Sequence, residues 1–171
     1  MTIGGGRRLR RSVVADRAAA ARGDEAASVR HMRAWLLLVG ALALHVVDEA
    51  STGFLDFYNP LVLRIRSQIA WFPMPTFTPS GWLAGLVLVV AALAAAAPAV
   101  RRGGAAIRLA SWLLSATMFV NGLGHLVGSA YFGRWLPGAT TAPLLLAASV
   151  HLARSTERAH RCQLASRRDA V

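Results

Sequence analysis

Between Gly81 and Val100 the chain runs for twenty residues, GWLAGLVLVVAALAAAAPAV, without one charged side chain. At 1.5 Å per residue a helix of that length reaches about 30 Å, the thickness of a bilayer's hydrocarbon core. Lipid offers backbone amides no partner, so such a run must satisfy its own hydrogen bonds, which a helix does. The chain has 171 residues, 55% of them hydrophobic and 16% charged, against roughly a quarter charged in soluble domains. Its net charge of +11 is therefore segregated. The arginines from Arg7 to Arg33 precede the first apolar run, and those from Arg154 to Arg168 follow the last.

The pattern predicts an all-α protein, a four-helix transmembrane bundle occupying 34–153, with spans at about 34–52, 81–100, 105–127 and 139–153. Residues 1–33 and 154–171 then form two basic tails, the first expected to be disordered. Sixteen of the nineteen arginines lie in the tails or in the 101–108 turn, which by the positive-inside rule puts both termini in the cytoplasm of a cell-membrane protein. Aromatic residues such as Phe54, Trp71, Trp82, Tyr131 and Trp135 gather at the opposite ends, where amphipathic rings favour the interface. The arginines thus describe topology and a lipid partner; no nucleic-acid recognition motif accompanies them. The single cysteine, Cys162, leaves no intrachain disulfide and no CxxC site.

A cleavable signal peptide competes for the first span, because MRAWLLLVGALALHVVDEA from Met32 has a basic start and an apolar core. The long basic tail ahead of it and the acids in the cleavage region favour an uncleaved span. The 51–80 loop carries Leu61, Val62, Leu63, Ile65 and Ile69 around Arg64 and Arg66, which suggests a short amphipathic surface segment. Pro73, Pro75 and Pro79 end it, and Ser80 is the expected cap of the second span. Gly81/Gly85 and Gly124/Gly128 have the GxxxG spacing that permits close helix approach.

Only Ala34 to Val47 of the first span is free of charge, so Asp48 and Glu49 lie within or at the edge of the hydrocarbon. An acid there costs about 2.5–3.5 kcal/mol on insertion scales and faces the bundle interior. His45, Asp48 and Glu49 fall three and four residues apart on one helix face. Asn121 and His125 share a face of the third span, which runs in the same direction, so the two groups meet in the outer half of the bundle. His151 falls at the other end of its span, and His31 and His160 fall in the tails; all three are excluded from the site.

His45-Val46-Val47-Asp48-Glu49 resembles the signature of the HXXEE-domain membrane proteins. Asn121-Gly122-Leu123-Gly124-His125 supplies the later histidine of that pattern, and Trp135-Leu136-Pro137-Gly138 resembles its YxPG element. The resemblance spans about residues 35–150, with Asp48 in place of the first glutamate and Trp135 in place of the tyrosine. It implies a multi-pass helical protein and this set of site residues, not a reaction.

Two neutral histidines with a carboxylate suit Zn²⁺ or non-haem Fe²⁺ and leave positions open for water or substrate. In this reading His45, Glu49 and His125 are metal ligands. Asp48 is a general base or supports a ligand, and Asn121 orients ligand or substrate, in an enzyme acting on a lipid-like small molecule. Metal-free acid/base chemistry is a second enzyme reading. A non-enzymatic alternative makes the same residues a structural hydrogen-bond network or a proton relay. Haem is not expected, because the acids beside His45 oppose an apolar haem pocket.

Overall fold

The computed structural model describes residues 5–168. It is built from α1 (Gly5–Ser51), α2 (Phe54–Gln68), α3 (Pro79–Ala95), α4 (Ala97–Arg102), α5 (Ala105–Phe132) and α6 (Ala142–Arg168), with no strand among the described residues. Among the described residues three helical stretches are long and apolar enough to cross a membrane: Ala21–Ser51, Pro79–Arg102 and Ala105–Phe132. Their exposed apolar residues, among them Val87, Leu88, Leu113, Val120 and Val127, face outward as lipid-facing side chains do.

α1 departs from the expected disordered tail by continuing as helix from Gly5. Alanine and arginine are strong helix formers, and both dominate this stretch. The buried stripe also begins earlier than expected: Ala27, His31, Ala34, Leu38, Leu42, His45 and Glu49 recur every three or four residues, the spacing of one helix face. Likewise α6 does not stop where the fourth span was expected to end. Its buried positions, Leu145, Ser149, Leu152, Thr156 and Ala159, carry the packed face past Arg154. α6 lies against both α1 and α5, and the apolar core joins Trp35, Leu38 and Leu42 to Val100, Leu145 and Leu152.

The second span is two helices. Pro98 lacks an N–H and clashes with the preceding turn, and the chain turns at Ala96 between α3 and α4. Carbonyls in the last turn of a helix lack intrahelical partners, and the Trp35 indole N–H donates to one of them, Leu93 O, at 2.7 Å. The cap of α3 is Thr78 rather than Ser80. Its hydroxyl accepts from Gly81 N at 3.3 Å, and Pro79 takes the first helical position, where a missing N–H costs nothing.

The 51–80 segment folds as α2 plus an extended return. Asn59 holds that return through both backbone groups of Phe77, at 2.9 and 3.1 Å, and the Tyr58 hydroxyl donates to Pro75 O at 3.0 Å. The GxxxG expectation of close helix approach is not met: a Cβ added at Gly85 or Gly124 would touch nothing within 4 Å, one at Gly81 only its own cap, Thr78, and one at Gly128 would meet Leu136 Cδ1 at 2.9 Å, in the turn before α6 rather than on a helix. The close approach occurs at Gly122 instead, where a Cβ would stand 3.1 Å from Ala142 O and from Leu146 Cγ of α6.

Candidate functional site

The last turns of α1 carry His45, Asp48 and Glu49, and the middle of α5 carries Asn121 and His125. The structure brings three of these five together. His45, Glu49 and His125 are buried, at 0%, 6% and 9% exposure, and offer ligand atoms that all lie within 4.8 Å of one another. Glu49 Oε1 is 3.1 Å from His125 Nε2 and 3.6 Å from His45 Nε2. The two imidazoles meet edge to face with centroids 4.7 Å apart.

Asp48 is not in that cluster. Its Oδ2 accepts from both Thr141 N and Thr141 Oγ1, each at 3.0 Å, so it holds the residue that leads into α6. Thr141 Oγ1 in turn lies 2.9 Å from His45 Nδ1. A hydroxyl has one proton, and a carboxylate has none to give. Thr141 therefore donates to Asp48 and accepts from His45, which makes His45 the Nδ1–H tautomer. In the neutral imidazole its Nε2 is then a bare lone pair, and it is buried without a hydrogen-bond partner among the described residues.

This orphaned atom faces a carboxylate oxygen, so two acceptors confront each other in a site from which water is largely excluded. Such an arrangement is costly unless a proton or a metal cation lies between them. For a tetrahedral ion with bonds of 2.0–2.2 Å the ligand–ligand edge is about 3.4 Å; the two Glu49 contacts, 3.1 and 3.6 Å, bracket it, and all three ligand atoms lie within 4.8 Å of one another. The donor set, two imidazoles and one carboxylate, suits Zn²⁺ or Fe²⁺. A buried imidazole oriented by a hydrogen bond from its other nitrogen is the usual support of a metal-ligating histidine.

Thr141 and Gly138 are site residues that the sequence reading did not single out by role. Gly138 has φ 81°, and a Cβ there would meet His125 Cε1 at 2.7 Å, His125 Nδ1 at 2.9 Å and Glu49 Cγ at 3.0 Å. The Pro137-Gly138 pair marks a turn, but nothing in it says what the turn covers. Ser129 fixes that turn: its Oγ donates to His125 O at 2.7 Å and accepts from Leu136 N at 3.0 Å.

Asn121 is half-buried, one turn along α5 from His125 and apart from the three-residue cluster. It lines a cavity of about 310 Å³ that also reaches His125 and is otherwise walled by apolar groups such as Phe57, Leu61, Phe132 and Leu136. α2 adds Phe54, whose ring centroid lies 6.0 Å from that of His125 and 5.7 Å from that of Trp82.

His31, expected in a solvated tail, is 5% exposed. Its Nε2 lies 3.0 Å from Ser111 Oγ and 3.1 Å from Thr156 Oγ1, so it joins α1, α5 and α6 at the opposite end of the bundle. His151 is exposed, and His160 pairs with Arg108 at 3.1 Å; neither approaches the cluster.

Fold and site together define an all-helical chain with three helices fit to cross a membrane and a buried His/Glu cluster able to hold a metal. No protein-family model, curated protein or solved structure matches it.

Proposed function

We propose that this protein is a metal-dependent membrane enzyme acting on a lipid-like substrate. The metal, Zn²⁺ or Fe²⁺, is held by His45, Glu49 and His125. The observation that carries the reading is the buried, unpartnered His45 Nε2 facing Glu49 Oε1. Asp48 acts through Thr141 to hold the His45 tautomer, and Asn121 supplies a hydrogen-bonding group to a substrate in the apolar cavity beside His125. The bound ion would supply Lewis acidity toward a substrate or water oxygen. The protein's own part is to orient that oxygen and exclude bulk water.

In the same proposal the first part of α6 is a fourth span and both termini are cytoplasmic, supported by the arginine distribution. The chain is of the HXXEE type, supported by the convergence of His45 and Glu49 of the HxxDE run with the later histidine. The test is metal analysis of the full chain purified in detergent and reconstituted with Zn²⁺ or Fe²⁺. About one ion per chain is expected in the wild type, and none in His45→Ala or His125→Ala. Wild-type protein as empty as both variants would overturn it. Loss of thermal stability in variants of a protein that never binds metal would instead favour a structural network.

A further inference from the structure

A groove runs between α5 and α6, away from the His/Glu cluster. At its arginine-rich end a cavity of about 400 Å³ is lined by Trp112 of α5 and by Val150, Ala153, Arg154, Glu157, Arg158 and Arg161 of α6. A second cavity, of about 280 Å³, shares Trp112, Val150 and Ala153 and continues along Ser115, Ala116 and Phe119. The two cavities adjoin at the three shared residues and together are charged at one end and apolar along the rest. Ser115, Ala116, Ser149 and Ala153 line the apolar part, none large enough to fill it.

The charges at its mouth are only partly compensated. Glu157 accepts from Arg161 at 2.8 Å, whereas Arg154 and Arg158 are exposed and make no ion pair among the described residues. Deeper in, Ser115 is 3% exposed and its Oγ has no hydrogen-bond partner among the described residues. Ser149 has already spent its proton on Leu145 O, at 2.7 Å. The helix rise puts Ser149, which lines the apolar cavity beside Ser115, about 7.5 Å deeper along α6 than Arg154. Cationic groups, then an unused hydroxyl, then an apolar trough follow the order of phosphate, ester and acyl chain in a glycerophospholipid.

We propose that this groove binds one anionic phospholipid, with its phosphate on Arg154 and Arg158, an ester oxygen toward Ser115, and an acyl chain along Trp112, Ala116 and Phe119. Basic pockets between membrane helices hold anionic headgroups by the same combination of charge and shape. The acyl chain separates this ligand from a free phosphate, and the headgroup charge separates it from a zwitterionic lipid.

The test is native mass spectrometry of the full chain in a neutral detergent, titrated with phosphatidylglycerol, phosphatidylcholine or glycerol phosphate. One phosphatidylglycerol per chain is expected, retained at least about tenfold better than phosphatidylcholine. Replacing Arg154→Gln and Arg158→Gln together weakens it about thirtyfold, the effect of two juxtamembrane charges. Ala116→Leu, which fills the trough and leaves the charge intact, weakens it about tenfold. Arg101→Gln with Arg102→Gln, away from the groove, leaves it unchanged. Equal retention of the two lipids would overturn the site, as would glycerol phosphate binding as tightly as the lipid. A loss in the Arg101/Arg102 variant equal to that in Arg154/Arg158 would reduce the effect to overall charge and overturn it too.

Discussion

His45 Nδ1 and Thr141 Oγ1 are 96 residues apart in sequence and 2.9 Å apart in space. Through that contact a carboxylate half-buried at the end of α1 decides which nitrogen of a fully buried imidazole carries the proton. Asp48 orders Thr141, Thr141 orders His45, and the lone pair this leaves on Nε2 points where Glu49 and His125 converge. The chemistry of the cluster is therefore set by a residue in the turn before α6.

Thr141→Val keeps the shape of the side chain and removes the hydroxyl, so His45 loses its fixed tautomer and Asp48 one of its two donors. Metal affinity should fall about 10–100-fold, the usual effect of removing such an orienting group, while one ion per chain still binds at saturation. Chelator competition on the wild type and the variant measures this. Unchanged affinity would mean that Thr141 does not orient a ligand.

Two glycines of the same region should behave oppositely. Gly138→Ala imposes a left-handed conformation on alanine, at about 1–2 kcal/mol, and drives a methyl into His125 and Glu49, at about 1–3 kcal/mol more. Gly124→Ala meets nothing and improves helix propensity by up to about 1 kcal/mol. Thermal unfolding in detergent should show the first variant markedly destabilised and the second unchanged or better.

That contrast also shows where sequence reasoning stops. His45, Glu49 and His125 were legible because polar side chains stand out in apolar spans and helical spacing tells which of them share a face. Thr141 and Gly138 lie in a turn, where no periodicity relates a residue to its neighbours in space. Gly124 and Gly128 looked like a packing motif, but in a chain rich in small residues the spacing has little contrast: the close helix–helix contact is made by Gly122, and Gly128 packs on Leu136 of a turn. His31 was hidden for a related reason. The alanines and arginines before it carry no apolar stripe strong enough to show that α1 is already packed there.

His31 should matter for stability rather than for the metal. Ser111 Oγ donates to Ile107 O and Thr156 Oγ1 to Leu152 O, both at 2.9 Å; with both hydroxyl protons placed there, each oxygen offers His31 only a lone pair, and the single Nε2–H is shared between them. His31→Leu removes the donor and strands two buried acceptors, at about 1–3 kcal/mol. Replacing Ser111→Ala and Thr156→Val in the same background should recover part of that loss. A double-mutant cycle followed by thermal unfolding measures the coupling, and metal content should be unchanged throughout.

Glu49→Gln separates a metal centre from a structural network most sharply, because the two predict opposite signs. If Glu49 serves as an ion partner of charged histidines, the neutral amide weakens the fold. If the site is built for a cation, the metal-free wild type carries an uncompensated clash between Glu49 Oε1 and the His45 Nε2 lone pair. The glutamine amide can donate to that nitrogen. The variant should then bind no metal, yet in chelator it should be more stable than metal-free wild type by about 0.5–1.5 kcal/mol, the net contribution of one recovered hydrogen bond. Adding Zn²⁺ at a hundredfold its Kd should stabilise the wild type by about 2.7 kcal/mol and leave Glu49→Gln where it was. The same pair of melting curves, with and without metal, reads both signs. A variant less stable than metal-free wild type would count against the metal reading.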